Sequence, residues 1–226
     1  MTNERAVWVV IPAFNEGGAL ERVLERLAFL SVTTVVVDDG SSDGCAATSG
    51  MKASWVLRHA INLGQGAALQ TGIRFALQKG ADVIVTFDSD GQHDPADIEN
   101  LVAALDVNCA DFALGSRFLG EAPGIPWTRQ LVLRAGVIFT RVLSGVSVTD
   151  THNGLRAMTR RGAQALNLTL NRMEHASQFL DQVVESRLRY VEVPVRIRYS
   201  AESLAKGQAS SGAVRIAAKL IVERLR

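Results

Sequence analysis

Short apolar runs alternate with longer amphipathic segments over the first half of the chain. Runs rich in Val and Ile predict buried strands, whereas apolar residues that recur every three to four positions predict helices. The predicted strands are residues 7–11, 33–37, 55–57, 83–87 and 112–115, and the predicted helices are residues 19–30, 67–78 and 95–105. This alternation predicts an α/β fold with a mostly parallel central sheet and helices on both faces.

The alternation ends at about residue 117. Residues 127–145 and 173–187 then predict helices, and residues 190–199 predict a strand that Pro194 would confine to a sheet edge or a bulge. A stretch rich in Ser, Ala, Gly and Lys follows, and residues 213–226 predict a basic amphipathic helix. Without internal repeats or a long linker, the pattern indicates one domain over residues 1–199 and a C-terminal extension over residues 200–226.

Composition and charge exclude several classes of protein. The 226 residues include 24 Lys and Arg against 23 Asp and Glu, and this net charge of +1 argues against nucleic acid as a partner. Two cysteines without a C-x-x-C motif argue against a disulfide framework or a zinc site and favour a reducing compartment. No signal-peptide pattern begins the chain, and three arginines interrupt its longest apolar stretch, residues 127–148. We therefore expect a cytoplasmic protein that is soluble or peripheral to a membrane.

Two carboxylates follow the most apolar strand of the predicted sheet. Asp88 and Asp90 come directly after residues 83–87, and Gln92 adds an amide oxygen two positions later. Because strand ends of a parallel sheet point at the ligand crevice, these oxygens can hold Mg²⁺ or Mn²⁺. The alternative for this segment is a solvated turn that leads into a helix at Asp94-Pro95.

Polar residues also follow the first two strands, as Asn15-Glu16 and Asp38-Asp39. Each could be simple turn or capping chemistry. Turn chemistry does not explain why acids follow three strands of one sheet. A nucleotide does, because carboxylates accept hydrogen bonds from ribose and base while a metal neutralises the diphosphate.

Four ordered motifs carry a resemblance to a known family: residues 10–16, 37–41, 62–66 and 88–93. Together they resemble a family 2 glycosyltransferase of GT-A fold, and most closely the polyprenyl- and dolichyl-phosphate mannosyl- and glucosyltransferases. Residues 115–117 and 151–156 resemble further segments of that group more weakly. The chain departs from the pattern at Gln65, where Lys is frequent, and at His152-Asn153, which replaces Thr-Ser.

The resemblance implies inverting, metal-dependent transfer of a sugar from a UDP- or GDP-sugar to a polyprenyl-phosphate-type lipid. It implies a metal site at Asp88, Asp90 and Gln92, for Mg²⁺ or Mn²⁺, and catalytic roles for Asp90, Arg117 and Arg156. The implied nucleotide-binding residues are Pro12, Ala13, Asn15, Glu16, Asp39, Gly64, Asp88 and Ser89.

Other functions stay open at the level of the sequence. The acceptor could be a saccharide hydroxyl, which needs a carboxylate base, and Glu174 and Asp181 are candidates. A nucleotidyltransferase would share the sheet and the acids but should carry a Gly-rich loop after the first strand, where this chain has residues 12–16. A non-catalytic subunit of a membrane glycosylation complex is a third possibility, although such a subunit is expected to have lost acids that this chain keeps.

Two predicted helices suggest how the protein reaches its acceptor. Residues 127–145 and 213–226 each combine an apolar stripe with basic residues, an arrangement that can bind an anionic membrane surface. The same stripes could instead cover the sheet, form a homodimer or bind an integral membrane partner.

Overall fold

The computed structural model describes residues 5–50, 52–121, 147–170 and 174–199. The described strands are β1 (Val7–Ala13), β2 (Thr33–Asp38), β3 (Trp55–Arg58), β4 (Val83–Thr86), β5 (Phe112–Glu121), β6 (Arg156–Thr159) and β7 (Tyr190–Arg196). The described helices are α1 (Gly17–Leu27), α2 (Cys45–Gly50), α3 (Gln65–Gln78), α4 (Asp97–Val107), α5 (Arg160–Gln164) and α6 (Glu174–Glu185). The helices expected over residues 127–145 and 213–226, and the whole C-terminal extension, lie outside the described residues. Within the described part, no helix is long and apolar enough to cross a membrane.

The strands form one sheet in the order β3-β2-β1-β4-β6-β5-β7. Neighbours are parallel except around β6, which runs antiparallel to both β4 and β5. Right-handed crossovers through helices are the usual way to join such parallel strands. The strands β1, β2 and β4 therefore end at the same edge of the sheet, and their following loops meet there.

Helices cover both faces of the sheet, as the apolar pattern predicted. One face packs against α1 and α4 through Leu20, Leu24, Leu101 and other buried side chains. The other packs against α3 and α6, where Ile73 and Phe179 are buried. Each fully buried side chain of this size contributes about 1.5–3 kcal/mol, so the two apolar layers hold the sheet between them. The predicted architecture, mostly parallel with helices on both faces, is confirmed.

The first strand continues two residues beyond its expected end at Ile11, through Pro12 and Ala13. Alternate β1 residues face β4 and β2: the carbonyl of Val10 accepts from Phe87, after β4, and that of Ala13 accepts from Asp39, after β2. Pro12 thus faces the β4 side, but the β1–β4 register ends at Val10. Its missing N–H therefore breaks no ladder bond, which is where a strand tolerates proline.

Two further differences concern the second half of the sheet. The strand expected over residues 112–115 extends to Glu121, and β6 occupies a segment that carried no strand signal. The strand with Pro194 does lie at the sheet edge, because β7 ends the strand order and pairs with β5 alone. The exposed Pro194 there agrees with the expectation from the sequence.

Candidate active site

A crevice of about 550 Å³ opens where β1, β2 and β4 end. Pro12 and Ala13 at the end of β1, Asp39 after β2 and Thr86 at the end of β4 all line it. This is the edge at which open α/β sheets bind their ligands. The acids that follow three separate strands in the sequence are therefore brought to one site.

Most of the predicted site residues line this crevice: Pro12, Ala13, Glu16, Asp39, Gly64, Asp88, Ser89, Asp90, Gln92, Arg117 and Arg156. Asn15 is the exception. Its φ of 53° turns the chain, and its Oδ1 accepts from the Ser42 backbone N–H at 2.9 Å. Its own N–H donates to the Ser41 hydroxyl at 2.9 Å, so Asn15 shapes the loop beside the crevice.

Asp88 is held on both carboxylate oxygens. Gln65 Nε2 donates to Oδ1 at 3.1 Å, and His93 Nε2 lies 2.9 Å from Oδ2. An ionised carboxylate only accepts, so His93 carries its proton on Nε2 and donates. The position at which relatives often carry Lys thus supplies a neutral amide donor here.

His93 is itself buried, only 3% exposed, with its ring edge-to-face on Phe87 at 5.4 Å between centroids. Its Nδ1 has no hydrogen-bond partner among the described residues. Leaving Nδ1 buried without a partner costs free energy. The ring is held in place by the hydrogen bond to Asp88 and by its packing on Phe87. His93, which also lines the crevice, is placed to orient the Asp88 carboxylate.

Asp90 lies beside Asp88 and shares its electrostatic environment. Burial alone would raise the pKa of Asp88, but the hydrogen bond from His93 and the charges of His93, His175 and Arg156 hold it below its ordinary value. Crowding by protein atoms and the Asp88 charge instead raise the pKa of Asp90. Two carboxylates so placed repel each other, which is an arrangement that a divalent cation relieves.

The donor set fits Mg²⁺ or Mn²⁺, which prefer oxygen ligands and keep positions for water and substrate phosphates. No group of three or more His, Cys, Asp or Glu side chains with metal-binding geometry occurs in the described part of the chain. The candidate protein ligands are therefore Asp88 and Asp90, with Gln92 beside them. The Gln92 backbone N–H and Nε2 donate to Asp90 at 2.9 and 2.6 Å, so Gln92 also orients that carboxylate.

Gly154, in the loop before β6, packs directly against Asp88. Thr86 donates its hydroxyl to the Gly154 carbonyl at 2.7 Å, which ties this loop to the end of β4. A Cβ on Gly154 would lie 2.6 Å from Asp88 Cγ, closer than real Cβ contacts come. Glycine is therefore needed for the carboxylate to occupy its position.

Two arginines stand on the wall formed by β5 and β6. Arg117 Nε donates to Asp150 Oδ2 at 2.6 Å, and its Nη1 donates to the Tyr199 hydroxyl at 2.8 Å. Burial alone would lower the pKa of Arg117, but the contacts with Asp150 and Tyr199 raise it, so the guanidinium stays charged.

Arg156 is buried and stacks on Phe179, with its guanidinium carbon 4.2 Å from the ring centroid. Its Nε donates to the Asn153 carbonyl at 2.9 Å. Burial lowers the pKa of Arg156 to about 10, and the charges of Asp88 and Asp150 oppose that shift. It remains a cation at neutral pH, held rigidly enough to contact an anion in the crevice.

Two histidines complete this wall. His152 bonds through Nδ1 to the Thr151 hydroxyl at 2.8 Å. Burial lowers the pKa of His152; Asp150 opposes this shift, whereas Arg117 and Arg156 reinforce it. His175, near the start of α6, also lines the crevice and is buried. Arg117, Arg156 and these two histidines therefore bring basic groups to the crevice from β5, β6, the loop before β6 and α6.

The model of the family described as "Glycosyl transferase family 2" matches residues 8–166 of this chain. The chain belongs to that family. The resemblance in the sequence motifs is confirmed, and the protein is a glycosyltransferase.

Curated relatives extend over nearly the whole glycosyltransferase. A UDP-N-acetylglucosamine–dolichyl-phosphate N-acetylglucosaminyltransferase of Methanococcus voltae is 29% identical, over 90% of this chain and 90% of its own length. An undecaprenyl-phosphate mannosyltransferase of Micrococcus luteus is 32% identical, over 92% of this chain and 89% of its own length.

A solved structure supports the fold. The glucosyl-3-phosphoglycerate synthase of Mycobacterium tuberculosis, in complex with Mn²⁺, UDP and phosphoglyceric acid, superposes with a TM-score of 0.68 and 20% identity. The match covers 94% of this chain and 77% of that one. The GT-A fold expected from the motifs is thus confirmed for this glycosyltransferase.

Several residues that line the crevice or hold its lining residues were not singled out from the sequence. Arg117 is held by Asp150, 33 residues away in the chain, and by Tyr199, 82 residues away. No local sequence pattern predicts contacts between such distant residues. His175 and Phe179 are one helical turn apart, so the predicted helix over residues 173–187 already placed them on one face. The sequence did not indicate that this face meets the crevice.

Proposed function

We propose that this glycosyltransferase moves a sugar from a nucleoside-diphosphate sugar to the phosphate of a polyprenyl-phosphate-type lipid, with inversion at the anomeric carbon. The M. voltae and M. luteus relatives are named for dolichyl-phosphate and undecaprenyl-phosphate acceptors. Both align along almost the entire chain, which supports the same acceptor class here.

The distribution of carboxylates in the crevice carries this proposal. The carboxylates that line it within the described residues, Glu16, Asp39, Asp88 and Asp90, all follow β1, β2 or β4. They are the groups expected to meet the donor and its metal. Among the described residues, the wall that holds Arg117 and Arg156 adds no carboxylate to the lining, because Asp150, which pairs with Arg117, does not line the crevice.

This arrangement suits an acceptor that needs no general base. A sugar hydroxyl must lose a proton as it attacks, and the base expected from the sequence is a carboxylate on the acceptor side. The candidates from the sequence, Glu174 and Asp181, do not line the crevice in the described structure. A phosphate monoester is already ionised at neutral pH, and its charge complements Arg117 and Arg156.

The reaction then requires positioning and charge stabilisation. An oxygen of the acceptor phosphate attacks the anomeric carbon, the bond from that carbon to the diphosphate breaks, and its electron pair leaves with the nucleoside diphosphate. Asp88 and Asp90, with Gln92 as a further oxygen donor, would hold Mg²⁺ or Mn²⁺, which supplies Lewis-acid stabilisation of the leaving group. Gln65 and His93 keep Asp88 in place, and Arg117 and Arg156 hold the acceptor phosphate in line with the departing bond.

The test is transfer of labelled sugar from a panel of UDP- and GDP-sugars, with Mn²⁺ or Mg²⁺, to polyprenyl phosphate and to soluble saccharides in parallel. We expect label in the lipid fraction with one donor and only in the presence of metal. Efficient transfer to a saccharide without transfer to the lipid would contradict the acceptor. Nucleotide binding without transfer from any donor would favour a non-catalytic subunit.

Donor binding can be measured separately by calorimetry with UDP and GDP. We expect one nucleotide to bind without acceptor, and to bind more tightly with Mn²⁺ than in EDTA. Equal affinity under both conditions would contradict a metal-bridged diphosphate.

We also propose that the protein associates peripherally with a membrane, because its acceptor is a lipid. The basic amphipathic segments of residues 127–145 and 213–226 support this from sequence alone. Flotation with anionic liposomes, comparing the full chain with one that ends at Gly212, tests the proposal. We expect the full chain to float, and binding by neither protein would contradict direct lipid contact.

A further inference from the structure

His59 forms a hydrogen-bonded bridge between two parts of the site. Its Nδ1 lies 2.7 Å from Asp39 Oδ1, and its Nε2 lies 3.0 Å from the Thr71 hydroxyl. Asp39 follows β2, whereas Thr71 lies within α3. Because the carboxylate accepts, Nδ1 carries the proton, and in the neutral ring Nε2 accepts from Thr71. Both ring nitrogens of a largely buried histidine are thus satisfied.

Asp39 is occupied by the loop that leads into α3. Its Oδ1 also accepts from the Leu63 N–H at 2.9 Å, and its Oδ2 accepts from the Gly64 N–H at 2.7 Å. Gly64 precedes the first residue of α3 and has a φ of 97°, a conformation that favours glycine, so this carboxylate binds the turn at a helix N-terminus. The Asp39 carboxylate is 3% exposed and accepts three hydrogen bonds, so its main structural role is to hold the loop of residues 61–64 in place.

The turn after Asp39 is interlocked with the same loop. Gly40 has a φ of 79°, and a Cβ there would lie 2.7 Å from the Ile61 carbonyl carbon and 2.8 Å from the Asn62 nitrogen. The two loops therefore approach each other as closely as backbone allows. Because the two loops are in close contact, any movement of Asp39 would also move residues 61–64.

The loop fastened by Asp39 continues directly to the metal carboxylate. Gln65 follows Gly64 in the chain and donates to Asp88 Oδ1 at 3.1 Å. Asn62, Gly64 and Gln65 all line the crevice. One continuous set of contacts thus runs from Thr71 through His59 and Asp39 to Asp88.

We propose that His59 is a positioning residue for the donor site: it orients Asp39, which in turn fixes residues 62–65 and the Gln65 contact to Asp88. The proposal rests on the proposed function, because the ligand that benefits is a nucleoside diphosphate with its metal. His59 does not line the crevice in the described structure, so it acts through Asp39 and not by contact with the donor.

Three variants separate positioning from general stability. His59→Leu removes both ring hydrogen bonds, whereas His59→Asn keeps an N–H donor close to the position of Nδ1. Thr71→Val removes only the hydrogen bond between the Thr71 hydroxyl and His59 Nε2. Thr159→Val is its matched control, because Thr159 bonds to Asp111 and Gly162 at the opposite edge of the sheet.

The first readout is calorimetric affinity for UDP and GDP with Mn²⁺. We expect His59→Leu to weaken binding of the preferred nucleotide by about 10- to 100-fold, the range seen when supporting residues of a metal site are removed. His59→Asn should stay within about threefold of wild type, and Thr71→Val should fall between them. Thr159→Val should bind nucleotide normally, even with a lowered melting temperature.

The second readout does not depend on nucleotide. Hydrogen exchange of the Leu63 and Gly64 amides should accelerate in His59→Leu and remain slow in His59→Asn and Thr159→Val. Unchanged exchange in His59→Leu would overturn the proposal, as would accelerated exchange with unchanged nucleotide affinity. If wild-type protein binds neither UDP nor GDP, the proposed function fails. Independently of that result, slow exchange of the Leu63 and Gly64 amides in His59→Leu would show that His59 does not hold this loop.

Discussion

Gly154 lies against the Asp88 carboxylate so closely that no larger residue fits there without moving it. A Cβ on Gly154 would come within 2.6 Å of Asp88 Cγ. The loop that carries Gly154 cannot simply retreat, because its carbonyl accepts from Thr86 at 2.7 Å. The position of the proposed metal ligand is therefore set by a glycine in the neighbouring loop before β6.

We expect Gly154→Ala to weaken Mn²⁺ binding by at least about 10-fold, because Asp88 must give way, and to cost about 1–3 kcal/mol of stability through overpacking. Gly18→Ala is the control, since a Cβ on Gly18 meets nothing within 4 Å. That change should stabilise α1 by about 0.5–1 kcal/mol and leave metal binding unaltered. Normal Mn²⁺ affinity in Gly154→Ala, measured by electron paramagnetic resonance, would contradict this account of Asp88.

Asp90→Ala should reduce transfer by at least about 100-fold while the fold is retained. We expect the fold to be retained because crowding by protein atoms, and then the charge of Asp88, raise the pKa of Asp90, so its removal relieves an unfavourable charge. Transfer assays and circular dichroism measure the two effects. Asp106→Ala, which breaks only an exposed ion pair with Arg5, should behave as wild type. Activity near wild type in Asp90→Ala, with metal dependence kept, would refute the assignment.

His93→Phe should lower Mn²⁺ affinity by about 10- to 100-fold, because Asp88 loses the donor that orients it. His93→Gln can place an amide N–H near the position of Nε2, so we expect it to restore most of the affinity. Melting temperatures provide the check, since phenylalanine fills the buried space next to Phe87. Equal losses in both variants would argue for a packing role alone.

Asp111 offers a test of stability that is remote from the crevice. The Arg161 hydrogen bonds, followed by that of Thr159, hold the pKa of Asp111 below its ordinary value, against the effect of burial. A carboxyl whose folded-state pKa is depressed stabilises the fold above its unfolded pKa, near 3.8. That stabilisation is lost as the pH falls through the lower folded-state pKa.

We therefore expect Asp111→Asn to cost about 1 kcal/mol at pH 7, a modest value because Arg161 is mostly exposed and solvent screens it. The difference from wild type should stay constant down to about pH 4 and shrink below it. Urea unfolding at a series of pH values measures this, and glycosyl transfer at pH 7 should be unchanged. A difference that grows in acid would contradict the sign of the shift.

The sequence predicted those parts of the structure in which a local pattern carries the information. One short segment, the apolar run of β4 and the Asp88 and Asp90 that follow it, predicted both a buried strand and the carboxylates at its end. The amphipathic spacing of Leu20 and Leu24 similarly placed α1 on the sheet.

Features set by distant partners could not be predicted in this way. The strand β6 has four residues, begins with Arg156, and exists because β4 and β5 bind it from both sides. Asp150 was not recognised because its partner Arg117 is 33 residues away. Asn15 matched a family motif, yet the Ser41 and Ser42 contacts that hold it depend on how two loops meet.

The most direct test of the account compares polyprenyl phosphate with the corresponding polyprenol as acceptors for the same donor, metal and enzyme concentration. Within the described residues, the wall that holds Arg117 and Arg156 adds no carboxylate to the crevice lining, so we expect no carboxylate base for a hydroxyl acceptor there. The account predicts transfer to the phosphate alone, with a glycosyl phosphodiester of inverted anomeric configuration as product. Comparable transfer to the polyprenol, or a product with retained configuration, would contradict it.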